Sequence, residues 1–208
     1  MRIGVFGATG GTGREVVRQA LARGDEVTAL ARTPGALPPA SRLRVVAGDA
    51  TQDVQAVAQV VEGCEVVVSA LGRRNSFRSG DLIVRSLRLI VAAMERAGVR
   101  RLILVSALGV GDTRRDAPLV PRLMYRALLG SIFADKEAAE AELRSSALDW
   151  TIVYPVLLTD GPRTGKYRVA ERLELHGVPK ISRSDVAHFV LEEAHRAEHA
   201  RKGVAISY

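Results

Sequence analysis

The sequence has a single cysteine, few aromatic residues and no long hydrophobic run. Cys64 has no partner for an internal disulfide, and a lone thiol fits a reducing cytoplasm. Only 4% of the residues are aromatic, so the chain lacks the stacking platforms of proteins that bind single-stranded nucleic acids. No apolar run has transmembrane length, and the first residues have the pattern of a strand rather than a signal peptide. These absences predict a cytoplasmic protein whose partners are neither nucleic acids nor membranes.

The excess of positive charge does not change that prediction. The chain has 30 Lys and Arg against 23 Asp and Glu, a formal net charge of +7. Its basic residues are scattered rather than gathered on one helix, unlike a nucleic-acid-binding surface. Neither the four histidines nor the acidic residues between 135 and 142 have the spacing of metal ligands. We therefore predict a small-molecule substrate, no metal, and a monomer or weak homodimer.

What the sequence does contain is a glycine-rich turn directly after its first apolar stretch. Residues 2–6 are followed by Gly7-Ala8-Thr9-Gly10-Gly11-Thr12-Gly13 and then by a helical stretch. Gly7 permits a sharp turn, Gly10 permits close approach of a phosphate, and Gly13 permits close helix packing. The N–H groups at the helix N-terminus then face an anion. Although the spacing differs from the common G-x-G-x-x-G, strand, turn and helix together predict a dinucleotide-binding site.

The end of the second predicted strand indicates which dinucleotide is bound. Sites that prefer NAD have an acidic residue about 20 residues beyond the glycines, which binds the ribose 2′-hydroxyl. Here the strand at 26–31 is followed by Arg32, and a guanidinium is suited to binding a 2′-phosphate. Arg14, on the first helix, is placed to share that charge. We therefore predict NADP(H); the alternative is that Arg32 is a solvated surface residue.

Strands and helices alternate along the chain. Strands are predicted near 2–6, 26–31, 43–47, 65–70, 101–106 and 149–154, and helices near 12–23, 53–61, 81–98, 134–146 and 184–196. The strands are continuous apolar runs, as in parallel sheets that helices cover on both faces. We predict an α/β fold: one Rossmann-like domain over 1–208, with a doubly wound parallel sheet. The pattern loosens within 156–183, which we expect to cap the substrate pocket.

Several short motifs resemble those of the atypical short-chain dehydrogenase/reductases. They are the glycine turn, the strand that leads into Arg32, Gly48-Asp49, Leu71-Gly72, Val105-Ser106-Ala107, Val153-Tyr154-Pro155 and Ile181-Ser182-Arg183-Ser184-Asp185-Val186. The resemblance covers essentially the whole chain. Within that group the sequence is most similar to the NmrA-like branch, which includes flavin reductases of the biliverdin reductase B type. The resemblance implies an oxidoreductase that binds NADPH.

The resemblance also implies roles for individual residues. Ser106 stands where the superfamily keeps its active-site serine, and Lys136 where it keeps a catalytic lysine. The residues implied to contact the cofactor are Gly7, Thr9, Gly10, Gly11, Thr12, Gly13, Arg32, Asp49, Ala50, Ala70, Leu71, Gly72, Ser106, Pro155, Val156 and Leu157. The alternatives are that Ser106 only lines a strand end and that Lys136 lies on a solvated helix face. Arg73, Arg74 and Asn75 either edge the cofactor site or are solvated.

The sequence departs from the Tyr-x-x-x-Lys pattern of typical short-chain enzymes. Four residues before Lys136 stands Ile132, which cannot donate a proton, and Tyr125 is too far upstream to fit the spacing. The flavin reductases that the chain resembles also lack the tyrosine, and flavin reduction needs little acid catalysis. We therefore predict hydride transfer from NADPH to a planar acceptor, first flavin, then quinone or tetrapyrrole. A non-catalytic NADP sensor is the second hypothesis, and a sugar-nucleotide or alcohol-modifying enzyme is the third.

Overall fold

The computed structural model describes residues 1–72, 81–111, 113 and 119–208, without the side chains of 34 and 119–129. A mostly parallel sheet runs through this part of the chain. The strands there are β1 (Arg2–Phe6), β2 (Glu26–Ala31), β3 (Leu43–Ala47), β4 (Val66–Ser69), β5 (Arg101–Val105), β6 (Asp149–Pro155), β7 (Leu157–Thr159), β8 (Arg168–Ala170), β9 (Lys180–Ser182) and β10 (Lys202–Ser207). Eight of them form one sheet in the order β3-β2-β1-β4-β5-β6-β10-β8. Only β8 is antiparallel to its neighbour, and β7 pairs with β9 separately.

Helices connect the parallel strands. In the described residues they are α1 (Gly11–Arg23), α2 (Val54–Val61), α3 (Leu82–Ala97), α4 (Leu119–Ser145) and α5 (Arg183–Arg196). The strand order reverses direction between β1 and β4, which is the topological switch point of a doubly wound sheet. The predicted Rossmann-like fold is therefore confirmed. None of the helices in these ranges is both long and apolar enough to cross a membrane.

Apolar side chains cover the two faces of the sheet because successive residues of a strand point to opposite sides. On one face Phe6, Val67 and Leu104 belong to a buried cluster with residues of α2, α3 and α4. On the other face, Val5 and Val68 belong to a cluster with residues of α1 and α5. This alternation decides which helix each strand-end side chain meets, and it thereby positions the polar residues at the carboxyl ends of β5 and β6.

The structure differs from the sequence-based prediction at three places. The helix predicted over 134–146 begins much earlier, at Leu119. Pro121 and Gly130 are helix breakers in isolation, but a proline is tolerated in the first turn, where its missing N–H has no intrahelical partner. The short strands β7, β8 and β9 form within the segment predicted as irregular, and β10 was not predicted. Strands of three residues leave too little alternation to detect.

Candidate cofactor site and active site

The turn between β1 and α1 is shaped by two glycines whose positions exclude any side chain. Gly7 has a φ of +80°, and a Cβ there would lie 2.5 Å from the carbonyl oxygen of Ala70. A Cβ on Gly13 would overlap the carbonyl oxygen of Gly7. Because both residues are glycine, the chain turns sharply and α1 starts directly above the end of β1. The helix has Gly10 as its N-cap, without a side-chain hydrogen bond, so its first N–H groups are oriented to bind an anion.

A cavity of about 530 Å³ opens in front of this turn. The cavity is lined by the last two residues of β2, by residues that follow β1, β2, β3 and β4, and by one residue at the start of α3: Gly7, Thr9, Gly10, Leu30, Ala31, Arg32, Gly48, Asp49, Ala50, Ala70, Leu71, Gly72 and Leu82. The carboxyl ends of parallel strands lie at one edge of the sheet, which is where ligands of this fold bind. The size is that of a small-molecule pocket.

Nine predicted cofactor residues lie together on the wall of this cavity, namely Gly7, Thr9, Gly10, Arg32, Asp49, Ala50, Ala70, Leu71 and Gly72. Sequence reasoning missed four further lining residues. Leu30, Ala31 and Gly48 directly precede Arg32 and Asp49, so a wider window around those positions would have included them. Leu82 gave no signal, because its place on the wall results from the position of α3.

Two charged residues at the cavity have different roles. Asp49 accepts hydrogen bonds from the backbone N–H of Thr51 at 2.8 Å and from its hydroxyl at 2.7 Å. These bonds, the backbone one first, lower the pKa of Asp49 in spite of partial burial, and the charges of Arg32 and Arg85 add to the effect. Arg32 is exposed, and within the described ranges no hydrogen-bond partner holds its guanidinium. Arg32 is therefore the positively charged group that this cavity offers to a ligand.

Arg14 was predicted to share the binding of a 2′-phosphate, but backbone carbonyls occupy two of its donor atoms. Its Nε donates to the carbonyl oxygen of Thr9 at 3.0 Å, and its Nη2 donates to that of Ala36 at 3.2 Å. Arg14 thus connects the glycine turn to the 3-10 turn at Pro34–Ala36 that follows β2. This residue shapes the rim of the cavity.

A buried polar cluster lies where β5 and β6 end. The Ser106 hydroxyl donates to Glu140 Oε1 at 2.5 Å, and the Tyr154 hydroxyl donates to Glu140 Oε2 at 2.7 Å. Arg144 Nη2 in turn donates to the Tyr154 hydroxyl at 2.9 Å. Ser106 is 5% exposed, Glu140 1% and Tyr154 0%. Residues from the end of β5, from α4 and from β6 therefore meet in one hydrogen-bonded chain.

The local folding of each element explains this meeting. Leu102, Leu104 and Ser106 alternate onto the face of the sheet that α4 covers, as Tyr154 does on β6. Room for the cluster comes from two glycines, because a Cβ on Gly111 would collide with Glu140 and a Cβ on Gly203 would lie 2.8 Å from the Tyr154 ring. Sequence reasoning named Ser106 but missed its partners. Their only signal was the spacing of four residues from Lys136 to Glu140 along one helix face.

Burial dominates the titration of the two ionisable residues on this face of α4. Burial raises the pKa of Glu140, an effect that hydrogen bonds from Ser106 and Tyr154 reduce only in part. It lowers the pKa of Lys136 from its ordinary value of 10.5 to about 8, although the charges of Glu140 and Asp135 act in the opposite direction. Asp135, also buried, accepts hydrogen bonds from the first backbone N–H groups of α3. Asp135 and Glu140 are therefore buried, Lys136 is partly exposed, and Glu137 is exposed.

The remaining predicted site residues lie outside the cavity wall. Gly11, Thr12 and Gly13 form the first turn of α1 behind it. Pro155, Val156 and Leu157 continue from β6 into β7; Val156 is buried, and Leu157 is 47% exposed. Ser106 follows β5 and Lys136 lies on α4, and neither residue lines the cavity. Arg73, Arg74, Asn75 and the Tyr125 side chain lie outside the described residues.

The segment 156–183 is fastened to the start of α5 beside the glycine turn. Asp185 accepts hydrogen bonds from the backbone N–H groups of Thr164 and Gly165 at 2.9 and 2.8 Å. Burial raises the pKa of Asp185, but these and other hydrogen bonds outweigh it and lower the pKa overall. Arg183 forms an ion pair with Asp160 at 2.6 Å, and its side chain lies so close to Gly11 that a Cβ there would be 2.6 Å from Arg183 Cδ. Sequence reasoning gave Arg183 no role of its own.

Comparison with known proteins agrees with this geometry. Residues 7–197 match a family model described as NAD(P)H-binding. The chain belongs to the NAD(P)H-binding family. It is 30% identical over 258 residues to the reductase pytE of Aspergillus terreus, covering 99% of this chain and 97% of pytE.

Two solved structures show the same fold. ChuY, an anaerobillin reductase from Escherichia coli O157:H7, is 27% identical with a TM-score of 0.81, over 99% of this chain and 96% of ChuY. A short-chain dehydrogenase/reductase from Veillonella parvula, solved in complex with NADP, is 23% identical with a TM-score of 0.83, over 100% and 94% of the two chains. The family model, pytE and ChuY confirm the predictions of an NAD(P)-binding oxidoreductase, and the resemblance to the atypical, NmrA-like enzymes agrees with them.

The first prediction for this NAD(P)H-binding protein concerns the glycine turn. Gly13→Ala places a Cβ against the Gly7 carbonyl, so α1 must move away from β1 and the anion-binding N–H groups move with it. We expect the dissociation constant for NADPH, measured by calorimetry, to rise at least about tenfold. Gly35→Ala is the control, because a Cβ there meets no described atom within 4 Å. Unchanged NADPH affinity in a folded Gly13→Ala protein would contradict the assignment.

The second prediction concerns pH. Lys136 has a lowered pKa of about 8, so its amine becomes half neutral near pH 8 rather than near 10.5. Reductive methylation with ¹³C-formaldehyde labels the four lysines of the chain for NMR. We expect one labelled resonance to titrate with a midpoint near pH 8 and to be missing from a Lys136→Arg sample. If the resonance lost in that sample titrates near 10.5, Lys136 is solvated and the described environment is wrong.

Proposed function

We propose that this member of the NAD(P)H-binding family is an NADPH-dependent reductase that transfers hydride to a planar acceptor. Flavin is the first candidate acceptor, and quinone and tetrapyrrole are the alternatives. The observation that carries the choice of NADPH is the exposed Arg32 at the cavity, directly after β2, where NAD-preferring sites have an acidic residue. A guanidinium binds a phosphate with two parallel hydrogen bonds, whereas a carboxylate at this place would repel the phosphate.

The residues present fit NADPH. The turn has no side chains at Gly7, Gly10 and Gly13, so a diphosphate can come close to its backbone. The N–H groups at the N-terminus of α1 face the same space and can bind its negative charge. Ala50 and Leu71 give the cavity apolar wall on the side proposed for the adenosine. NADPH, when bound, supplies a hydride from its nicotinamide ring.

The order of the strands supports one direction for the cofactor. The cavity covers the ends of β1 to β4, and β5 and β6 are the next strands across the sheet. An extended dinucleotide whose adenosine occupied the cavity would have its nicotinamide towards Ser106, which follows β5, and Pro155, which ends β6. Ile132 stands where typical short-chain enzymes have the tyrosine of the Tyr-x-x-x-Lys pattern, so the site favours an acceptor that needs little acid catalysis. The similarity to the reductases pytE and ChuY supports reduction as the activity.

The segment 156–183 is proposed to cap the acceptor side of this site. It continues directly from Pro155 and Val156, and its other end is fixed near Gly11 through the Arg183–Asp160 pair.

We also propose that the protein works in the cytoplasm. Its one cysteine, Cys64, is buried and forms no disulfide, as is usual for proteins of a reducing compartment. The predicted monomer or weak homodimer also stays a prediction.

A non-catalytic NADP sensor is the second candidate. The observation that favours it is Ile132, which removes the usual proton donor while the phosphate-binding features remain complete. Turnover distinguishes the two functions. Purified protein is mixed with NADPH and, separately, a flavin, a quinone and a linear tetrapyrrole, and NADPH oxidation is followed by absorbance. We expect enzyme-dependent oxidation with at least one acceptor. Tight NADP binding without turnover on the whole panel would favour the sensor.

The cofactor preference is tested by reversing one charge. Arg32→Asp removes the group proposed to bind the 2′-phosphate and puts a negative charge in its place. We expect the dissociation constant for NADPH to rise about 10- to 100-fold, since hydrogen bonds to charged groups contribute about 1.5–3 kcal/mol each, while the constant for NADH changes little. Arg44→Asp, an equal charge change at an exposed residue of β3 that does not line the cavity, is the control. Equal losses for NADPH and NADH would refute the 2′-phosphate assignment.

A further inference from the structure

We propose that the buried chain from Arg144 through Tyr154 and Glu140 to Ser106 supplies the proton that accompanies hydride transfer. Glu140 holds this proton, and Ser106 delivers it to the acceptor. The inference rests on the proposed function, because it places the acceptor beside Ser106. It answers the question that Ile132 raises, namely which group protonates the reduced acceptor when the usual tyrosine is missing.

The direction of the hydrogen bonds gives the chain its polarity. Arg144 can only donate, so the Tyr154 hydroxyl accepts from Arg144 and donates its own proton to Glu140 Oε2. With Oε2 occupied in this way, a proton on the Glu140 carboxyl belongs on Oε1, which faces the Ser106 oxygen at 2.5 Å. In the carboxylate form Ser106 donates to Oε1, and when Oε1 carries the proton the direction reverses, so that Glu140 donates to Ser106. The Ser106 hydroxyl hydrogen is then released from Glu140 and can donate to another molecule.

The surroundings of Glu140 favour the protonated carboxyl. Its side chain is about 2% exposed, in a pocket that Ser106, Tyr154 and the backbone of Gly111 close. An ionised carboxylate would be costly there without a close cation. Arg144 Nη2 is 4.0 Å from Oε2. Among the described residues, the other charge that acts on Glu140 is that of Lys136, one turn earlier on α4, and the carboxylate of Asp135 acts on Lys136. The raised pKa of Glu140 is in keeping with this arrangement.

The acceptor takes up a hydride from NADPH and a proton from the Ser106 hydroxyl. The acceptor gains a hydride, and NADPH becomes NADP⁺. The O–H bond of Ser106 breaks while a new N–H or O–H bond forms on the acceptor, and in the same step the Glu140 carboxyl proton passes to the Ser106 oxygen. Glu140 is left as a carboxylate, stabilised by the hydrogen bonds from Ser106 and Tyr154, and it regains a proton from water before the next turnover. Ser106 is thus the catalytic residue, and Glu140 is a positioning and proton-storing residue that acts through it.

A purely structural cluster would have the same hydrogen bonds, so the test must separate proton delivery from stability. Glu140→Gln keeps the size and the hydrogen-bonding atoms of the side chain but carries no transferable acid proton. Two acceptors are compared: a quinone, whose reduction needs a proton, and N-methylacridinium, a cation that takes a hydride without one. Glu142→Gln is the control on the same helix, because Glu142 forms a surface ion pair with Arg88 away from the cluster.

We expect Glu140→Gln to lower kcat for the quinone at least about tenfold and to remove its pH dependence, with N-methylacridinium reduction and the NADPH dissociation constant unchanged. Ser106→Ala should give a similar loss, and the double variant should be no slower than either single one, because the two residues act as one unit. Ser106→Ala also keeps the proposal testable if Glu140→Gln does not fold. Equal losses with both acceptors, or no loss with either, would overturn the proposal.

Infrared spectroscopy gives a readout that does not depend on turnover. The cofactor-free protein at pH 7 should show the C=O band of a protonated, buried carboxylic acid, and Glu140→Gln should lack this band while Glu142→Gln retains it. If the band is missing from the wild-type protein, Glu140 is ionised and stores no proton, whatever the kinetics show. If the wild-type protein reduces no acceptor at all, including N-methylacridinium, the proposed function itself is wrong, and the relay is rejected with it.

Discussion

The close contact of backbone with backbone at the first turn is the constraint on which the rest of this structure depends. The Gly7 carbonyl lies where a side chain on Gly13 would be, and the Ala70 carbonyl lies where a side chain on Gly7 would be. These contacts fix the start of α1 above the ends of β1 and β4, the topological switch point of the sheet. The cavity, its Arg32 and the anion-binding helix terminus all follow from that one placement.

A second consequence of the sheet appears at the ends of β5 and β6. Their parallel register pairs Leu104 with Ile152 and Val105 with Val153, which brings Ser106 and Tyr154 together on the face that α4 covers. Glu140 lies between them, and its carboxyl joins both hydroxyls. The fold thus has a glycine turn with open helix N–H groups at the ends of β1 to β4 and a buried carboxyl group at the ends of β5 and β6. A cofactor that spans both would meet hydride chemistry and proton supply at adjacent strands.

The sequence sufficed for the parts of this architecture that depend on local pattern. Glycine spacing, the apolar run before it and Arg32 directly after β2 are all readable within a few residues, and the strands at 2–6, 26–31 and 43–47 have the predicted bounds. The Ser106–Glu140–Tyr154 contact depends on strand register and on space beside Gly111, neither of which a single stretch of sequence contains. The early start of α4 was missed because Pro121 and Gly130 disfavour a helix locally.

We propose that one extended NADPH molecule connects the glycine turn, Arg32 and the end of β5. A crystal structure of the protein with NADP⁺ bound tests this proposal. We expect a diphosphate at the N-terminus of α1, a 2′-phosphate within hydrogen-bonding distance of the Arg32 guanidinium, and a nicotinamide ring beside the Ser106 hydroxyl. A 2′-phosphate directed away from Arg32, or a nicotinamide ring that does not reach the end of β5, would contradict it.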